Sequence, residues 1–280
     1  MDPADQSESL SNGTGLEESV VMNGLICDAI AHIENDYTEK FGIPRQSGLV
    51  NEVVSRIVFE EPYRNPDALR GLDEFSHLWL IWVFSEARNT RSKFKGAHDG
   101  RLSAGEVVTA EKRDSDPGKP DVRGWSPTVR PPRLGGNERV GVFATRSPNR
   151  PTPIGLSCVE IVSVEPHTSD GPVITVLGAD LMTGTPILDI KPYIVYADAR
   201  PDADSGFADE APVSVLSVEG IELLPDEVDK AAVAAILAQD PRPRYHDDPN
   251  RVYGMRYGEC DIRFTVCDGV VVIAGVSFSE

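Results

Sequence analysis

Cysteine is scarce in this sequence, and long apolar runs are absent. The four cysteines, at positions 27, 158, 260 and 267, form no Cys-x-x-Cys pair and no cluster with histidine. Neither a disulfide framework nor a zinc site is therefore predicted. No stretch approaches the roughly 20 apolar residues that span a bilayer, and we expect no signal peptide because the first residues lack a charged n-region followed by an apolar core. We expect a cytoplasmic protein with reduced cysteines, no bound metal and no membrane partner.

The sequence motifs of the common nucleotide-dependent and hydrolytic enzymes are also missing. There is no GxxxxGK[ST], no HExxH and no GxSxG. The one G-x-G, in "NGTGLE", lies in a segment rich in Ser and Gly with no strand or helix pattern around it. A Rossmann-type dinucleotide or methyltransferase fold is therefore not expected, and function must be sought in other loops.

Basic residues are few but concentrated in one part of the chain. The net charge is −18, whereas residues 87–150 carry 14 Lys and Arg against 7 Asp and Glu. A strongly acidic protein binds nucleic acid poorly in a non-specific way, because both carry negative charge. An acidic chain with one basic stretch is compatible with a polyanion that docks at a defined place, or simply with a solvated charged segment.

Short apolar runs bounded by Gly and Pro predict a mainly β protein from Leu25 onward. They are rich in Val, Ile and aromatic residues, as the strands of a barrel or sandwich are. The runs are "LICDAIAHI", "SRIVFEEP", "HLWLIWVF", "RVGVFAT", "IGLSCVEIVSVE", "PVITVLGADL" and "ILDIKPYIVYA". Within this β region, "PDALRGLDEF" is predicted as a short helix.

The remaining segments suggest the domain limits. Residues 1–22 hold acids but no Lys or Arg and predict a disordered tail, ahead of a β domain over 23–200. A polar stretch at 87–120 is predicted as a mobile insertion. Residues 201–280 predict a small α+β domain, in which "PDEVDKAAVAAILAQDP" forms a helix and Cys267-Asp268-Gly269-Val270 a hairpin turn.

Four loop segments concentrate polar side chains where only turns are needed. They are "FGIPRQSGLV", "GWSPTVRPPRLGGNERVGVFATRSPNRPTPIG", "GADLMTGTPILDIKPY" and "AQDPRPRYH". Six arginines lie between Arg123 and Arg150, interleaved with Pro and Gly, and arginine forks bind carboxylates and phosphates bidentately. The second segment therefore predicts an anion site, whereas Asp180 and Asp189 in the third suit either ligand hydroxyls or turn formation.

Taken in order, these segments resemble the TsaA-like family, and most closely its bacterial tRNA methyltransferases. The resemblance covers roughly residues 25–265 and rests on "GIPRQSGLV", "ALRGLDEFSHLWLIWVF", "PTVRPPRLGGNERVGVFATRSPNRPTPIGLS", "LMTGTPILDIKPY" and "LAQDPRPRY". It implies a single-sheet β-barrel, a homodimer, and methylation of N6 of threonylcarbamoyladenosine at tRNA position 37 by S-adenosyl-L-methionine. The sequence departs from the family pattern at Ser85, where relatives often have His, and at Thr183, where they often have Asp.

The resemblance also implies which residues form the site. The cofactor site would comprise Pro44, Arg45, Gln46, Phe84, Ser85, Arg146, Leu156, Asp180, Leu181, Met182 and Thr183. Residues expected to contact tRNA or the modified base are Arg130, Arg133, Arg150, Arg242 and Arg244. Tyr245 is expected to contribute to activity together with the Asp240–Pro243 segment.

Methyl transfer to N6 needs alignment of donor and acceptor and relief of the nitrogen's delocalised lone pair. Either a carboxylate takes the N6 proton, with Asp240 or Asp189 as candidates, or arginines stabilise the developing negative charge. Three alternatives to the tRNA activity stay open on the sequence. They are a barrel methyltransferase for another RNA or a small molecule, a non-catalytic cofactor- or RNA-binding module, and a structural β protein.

Overall fold

The structure is a computed structural model that describes residues 19–22, 25–85, 126–209, 215–242 and 248–278. Its strands are β1 (Ser19–Met22), β2 (Leu25–Asp28), β3 (Ala31–Glu34), β4 (Val54–Phe59), β5 (His77–Val83), β6 (Thr128–Val129), β7 (Val140–Gly141), β8 (Ile154–Thr168), β9 (Gly171–Leu177), β10 (Pro186–Pro192), β11 (Ser217–Glu219), β12 (Tyr253–Tyr257), β13 (Cys260–Cys267) and β14 (Val270–Phe278). The α-helices are α1 (Val195–Asp198) and α2 (Lys230–Ala238).

Six of these strands close into one antiparallel barrel. The order is β10-β3-β4-β9-β8-β5, and closure follows because β10 pairs with both β3 and β5. A closed barrel leaves no strand edge exposed, so every strand within it has a hydrogen-bonded neighbour on both sides. The expectation of a mainly β, single-sheet barrel is confirmed.

Alternation along the strands fills the barrel interior. In β5, Leu78, Leu80 and Trp82 point inward and are at most 7% exposed, while the residues between them face outward. The partners on β8 continue this layer, with Ser157 opposite Leu80 and Gly155 opposite Trp82. The period-2 pattern of "HLWLIWV" therefore builds the core directly.

The C-terminal domain is a four-stranded sheet, β11-β14-β13-β12, covered by α2. The predicted helix starts later than expected, at Lys230, because the Asp229 carboxylate accepts hydrogen bonds from the N–H groups of Ala231 and Ala232 at 3.0 Å and so caps it there. The predicted turn between β13 and β14 is confirmed. Its two central residues have positive φ, 49° at Asp268 and 79° at Gly269, as a type I′ hairpin requires.

Other local predictions were wrong or only partly right. The helix predicted in "PDALRGLDEF" is two 3-10 turns, Pro66–Leu69 and Leu72–Glu74, separated by Gly71 at φ 82°. In "RVGVFAT" only β7 is a strand, and a 3-10 turn follows it. The predicted disordered tail was wrong at residues 19–22, which pair with β2. Residues 1–18 and the predicted insertion at 87–120 lie outside the described residues.

The loop between β3 and β4 connects the two domains. Tyr37, in this loop, belongs to the buried core of the C-terminal domain. The Phe41 ring stacks on Phe264 of β13 with centroids 6.4 Å apart. Gly42, at φ 98°, lies so close to β12 that a Cβ there would be 2.5 Å from the Met255 Sδ. The segment that follows, Pro44 to Gln46, is thus held against the C-terminal domain.

Candidate active site

A cavity of about 600 Å³ opens at the rim of the barrel. Three of the four loop segments singled out in the sequence meet there. They are the β3–β4 loop, residues 142–153 before β8, which we call the arginine loop, and the segment after β9. Seven of the eleven residues predicted for the cofactor lie in this lining: Pro44, Arg45, Gln46, Phe84, Arg146, Leu156 and Asp180.

The other four predicted cofactor residues, Ser85, Leu181, Met182 and Thr183, are not in the lining. Leu181 is 1% exposed and packs in the barrel core. The Thr183 N–H donates to the Tyr37 carbonyl at 2.9 Å, and the Met182 carbonyl accepts from the Thr185 N–H at 3.1 Å. These contacts form the turn between β9 and β10.

Hydrogen bonds join the β3–β4 loop to the arginine loop and to the C-terminal domain. Arg146 Nη1 donates to Gln46 Oε1 at 2.6 Å, and Gln46 Nε2 donates to the Arg45 carbonyl at 2.6 Å. Arg45 Nη2 donates to the Arg242 carbonyl at 3.3 Å. The cationic side of the cavity is therefore built from three separate parts of the chain.

The arginine loop is ordered by its own hydroxyl groups. Thr145 Oγ1 donates to the Val142 carbonyl at 2.8 Å and accepts from the Ser147 N–H at 3.2 Å. Arg150 Nη1 donates to the Thr145 carbonyl at 3.0 Å. Prolines supply no donor and restrict their neighbours, so these Ser and Thr turns and the prolines together fix where Arg146 and Arg150 lie.

An aromatic wall forms another side of the cavity. The rings of Trp82 and Phe84 are tilted at 60° with centroids 4.2 Å apart. Gly155 leaves room for the indole, since a Cβ at this position would lie 2.2 Å from Trp82 Cε2. Phe143, which is 72% exposed, adds a third ring. Such surfaces suit a planar heterocycle.

A chain of hydrogen bonds runs from the aromatic wall to Asp180, the one carboxylate that the described residues place in the cavity lining. Trp82 Nε1 donates to Ser157 Oγ at 2.9 Å, and Ser157 Oγ donates to Asp180 Oδ1 at 2.5 Å. Burial raises the pKa of Asp180 above its usual range, although the Ser157 hydrogen bond and the charge of Arg146 act in the opposite direction. A half-buried carboxylate of this kind is a common feature of functional sites.

The two carboxylates predicted as general bases lie elsewhere and are already paired. Asp189 follows a bulge in β10 and pairs with Ile81 on the outer face of the barrel, and its Oδ2 is 2.6 Å from Lys191 Nζ. Asp240 receives a forked hydrogen bond from Arg242, at 2.7 and 2.9 Å, and its own backbone has φ 50°. Neither Asp189 nor Asp240 lines the cavity.

The predicted tRNA contacts are divided between three places. Arg150 lines the cavity, Arg242 lies behind the β3–β4 loop in the pair with Asp240, and Arg130 and Arg133 sit in the β6–β7 connection, outside the lining. Arg244 and Tyr245 lie outside the described residues.

Sequence reasoning missed Trp82, Ser157 and Phe143 as site residues. A signal was available for Ser157, because strand alternation places it inward in "IGLSCV" among apolar neighbours, and it is 1% exposed. An inward-facing hydroxyl needs a hydrogen-bond partner. No comparable signal marked Phe143, which follows a two-residue strand.

The described part of the chain shows neither a metal-binding group nor a membrane-spanning helix. Its His, Cys, Asp and Glu side chains form no group of three or more that could hold a metal ion. None of the helices in the described ranges has the length and hydropathy needed to cross a bilayer.

Two family models match the chain in succession. The model of the tRNA-methyltransferase O N-terminal domain matches residues 32–199, which include the barrel, and the model of the TrmO C-terminal domain matches residues 221–279. Together they include every segment that lines the cavity.

Individual relatives agree with these models. The tRNA (adenine(37)-N6)-methyltransferase of Escherichia coli is 35% identical over 262 residues, which is 88% of this chain and 95% of that protein. The enzyme of the same name from Eikenella corrodens is 45% identical over 161 residues, 56% of this chain and 90% of that protein. A crystal structure of TrmO from Pseudomonas aeruginosa superposes with a TM-score of 0.63 at 27% identity, covering 93% of this chain and 99% of that one.

Proposed function

Because the chain belongs to the tRNA-methyltransferase O family, we propose that it transfers a methyl group from S-adenosyl-L-methionine to N6 of adenine 37 in tRNA, with threonylcarbamoyladenosine as the acceptor base. The observation that carries the proposal is the cavity, in which arginines, an aromatic wall and one carboxylate converge. An Escherichia coli relative that spans most of this chain is named for methylation of N6 of adenine 37 in tRNA.

The residues of the cavity fit the proposed cofactor. A volume of about 600 Å³ lies in the range of small-molecule sites. Arg45 and Arg146 suit an amino-acid carboxylate, and the Trp82–Phe84 wall suits an adenine ring or a sulfonium cation. We propose that the cofactor is held by the seven predicted residues in the lining: Pro44, Arg45, Gln46, Phe84, Arg146, Leu156 and Asp180.

The protein's part in the reaction is mainly alignment. When bound, the cofactor supplies an already activated methyl group, so no covalent intermediate with the enzyme is required. The aromatic wall and the hydrogen-bonded Gln46–Arg146 pair form two sides of the cavity, and rigid sides restrict the geometry of the bound reactants.

The arginines that we do not assign to the cofactor suit the nucleic acid. The threonylcarbamoyl group carries a carboxylate, and Arg150 is the lining arginine that we propose binds it. Arg130, Arg133, Arg242 and Arg244 are proposed to contact tRNA phosphates, since basic side chains on an acidic protein confine a polyanion to one face. We further propose that the protein acts as a homodimer in the cytoplasm and needs no metal.

Incubation of the full-length protein with S-adenosyl-L-methionine and threonylcarbamoylated tRNA tests the function. Mass spectrometry of the digested nucleosides is expected to detect the N6-methylated product, with little on the matched unmodified transcript. Methylation of the unmodified transcript alone would refute the substrate assignment. Binding of cofactor without turnover of a radiolabelled methyl group would instead identify a binding module.

The cofactor site has a separate test. Arg146→Ala removes the cation hydrogen-bonded to Gln46 and is expected to weaken cofactor binding by about tenfold in calorimetry, the loss expected for one charge-assisted hydrogen bond. Arg70→Ala is the control, because Arg70 is exposed and pairs with Asp67 away from the cavity. Unchanged affinity in the Arg146 variant would remove this residue from the site.

A further inference from the structure

The proton on N6 must leave during methylation, and the cavity offers one group that can take it. Of the described residues in the lining, Asp180 alone carries a carboxylate, and the other ionisable side chains there are Arg45, Arg146 and Arg150. An arginine stays protonated in proteins and cannot accept a proton. The carboxylates predicted from the sequence are occupied outside the cavity, Asp189 by Lys191 and Asp240 by Arg242.

The polarity of the hydrogen-bond chain behind Asp180 is forced. The indole N–H of Trp82 can only donate, so Ser157 Oγ must accept from it and has its single proton left for Asp180 Oδ1. Ser157 is 1% exposed and Trp82 is 7% exposed, so water does not compete for this arrangement. The chain therefore holds the Asp180 carboxylate as an acceptor, in one orientation, at the wall of the cavity.

The electrostatic surroundings of Asp180 act on its proton affinity in both directions. Burial raises the pKa of its carboxyl group, whereas Ser157 and Arg146 keep the charged form accessible. The buried Tyr37 phenol is also affected, because burial, Tyr257 and the charge of Asp180 all raise its pKa. A base whose pKa approaches the working pH combines ionisation with proton affinity.

We propose that Asp180 is the general base that accepts the N6 proton and that Ser157 is its positioning residue. The inference rests on the proposed methyltransferase function. As the N6–H bond breaks, its electron pair stays on nitrogen and the proton passes to an Asp180 carboxylate oxygen. The nitrogen lone pair forms the new bond to the methyl carbon, and the electrons of the broken sulfur–methyl bond remain on sulfur. The Asp180 proton is then released to solvent.

Asp180→Asn tests the base, since it keeps the shape of the side chain and removes its basicity. At saturating cofactor we expect kcat to fall at least about 100-fold and the acidic limb of the kcat–pH profile to disappear, and calorimetry measures separately how much cofactor affinity the carboxylate supplies. Asp170→Asn, which alters an exposed carboxylate paired with Arg56, is the control. Near-wild-type kcat, or a large rise in the cofactor Kd with kcat retained at saturation, would overturn the assignment.

Ser157→Ala tests the positioning role independently of any folding defect in the Asp180 variant. Loss of a hydrogen bond to the charged form should raise the pKa of Asp180, so the acidic limb of kcat should move to higher pH, and Ser157→Thr should restore it. In the protein without cofactor, carbon-13 NMR of labelled aspartate should show the same shift in the Asp180 titration. The control is Ser163→Ala on the same strand, whose hydroxyl bonds Glu165. An unmoved limb and titration would refute the positioning role.

The two proposals fail in distinguishable ways. If the wild-type protein forms no N6-methyl product on threonylcarbamoylated tRNA, the proposed function falls, and the assignment of Asp180 falls with it. If the wild-type protein is active while the Asp180 and Ser157 variants keep its rate and pH profile, only the inference about Asp180 and Ser157 is rejected.

Discussion

Gly155 shows how a missing side chain shapes the cavity. It lies opposite Trp82 in the β5–β8 ladder, and the indole occupies the space that a Cβ would need. The ring can then reach both the cavity and Ser157. Glycine is required here because the Trp82 side chain approaches so closely. Backbone conformation is not the reason, because Gly155 does not have positive φ.

Replacing this glycine should therefore impair the site and the core together. Gly155→Ala would place its Cβ 2.2 Å from Trp82 Cε2, so the indole must shift, with an expected loss of about 1–3 kcal/mol in the free energy of unfolding and weaker cofactor binding. Denaturant unfolding and calorimetry measure the two effects. Gly254→Ala in β12 is the control, because nothing lies within 4 Å of its Cβ position. Equal stability of the two variants would contradict the close packing of Gly155.

The raised pKa of Asp180 predicts a signature in stability that needs no substrate. The folded protein holds this proton to higher pH than the unfolded chain, so stability falls as pH rises from the ordinary value of 3.8 through the folded pKa. Asp180→Asn removes that loss. The stability of the variant relative to the wild-type protein should therefore increase across this pH range in denaturant titrations.

Asp170 provides the opposite case in the same experiment. The hydrogen bond from Arg56 lowers the pKa of Asp170, so its stabilisation is present above pH 3.8 and is lost as pH falls through the folded pKa. Asp170→Asn should therefore lose stability relative to the wild-type protein as pH rises. Parallel pH trends in the two variants would contradict the burial of Asp180.

At the scale of elements, the loop between β3 and β4 depends on packing far from the cavity. The Phe41 ring stacks on Phe264 of the C-terminal domain. In the chain, Phe41 comes shortly before the Pro44–Gln46 segment that lines the cavity. Its ring is half-buried against the core of the C-terminal domain. The position of Arg45 and Gln46 thus depends on a contact that touches neither of them.

Phe41→Ala should loosen this loop. We expect a loss of about 2 kcal/mol in the free energy of unfolding, below the range for a fully buried phenylalanine, and weaker cofactor binding although Phe41 does not line the cavity. Phe278→Ala, at an exposed position at the end of β14, is the control and should change neither quantity. Cofactor affinity that survives in the Phe41 variant would show that the loop is positioned by the barrel alone.

Strands with clear alternation or length were predictable from the sequence, and irregular turns were not. The run containing β5 has period-2 burial and the run containing β8 is long, and both were identified correctly. The segment from Pro66 to Glu74 has helical composition, but Gly71 at φ 82° divides it into two 3-10 turns. Helix propensity does not report a left-handed backbone at one residue, so composition alone could not locate this division.

The same limit applies to the site. Motif order predicted that Arg45, Arg146 and Asp180 share one site, and all three line the same cavity. It did not reveal that the bulge in β10 between Ile187 and Asp189 shifts the register and turns the Asp189 carboxylate to the outer face. A one-residue shift exchanges the two faces of a strand, so a residue next to a bulge cannot be assigned a side from sequence spacing.

At the scale of the whole molecule, an acidic protein must bind a polyanion through a limited basic surface. The net charge is −18, so contacts outside that surface repel tRNA. Arg130 is exposed beside the cavity loops, in the β6–β7 connection. If it contacts a phosphate, its contribution should depend strongly on ionic strength.

The salt dependence of tRNA binding tests this contact. For Arg130→Ala we expect weaker binding and a slope of log K against log salt concentration that is smaller in magnitude by about 0.7–0.9, the effect of one lost phosphate contact. Arg70→Ala is the control, because Arg70 already pairs with Asp67. An unchanged slope for Arg130→Ala would show that tRNA does not reach this part of the β6–β7 connection.

The hydrogen bond from Arg45 to the Arg242 carbonyl also has a consequence for the timing of synthesis. The two residues are 197 positions apart, and Glu39 and Arg256, which are also hydrogen-bonded, are 217 apart. At about 5–20 residues per second, a ribosome needs roughly 10–40 seconds to add such a length of chain. The Pro44–Gln46 segment is thus made early in synthesis, yet the hydrogen bond from Arg45 to Arg242 forms only when the C-terminal domain follows. A nascent chain halted before residue 242 should therefore have little affinity for the cofactor even if its barrel strands have paired.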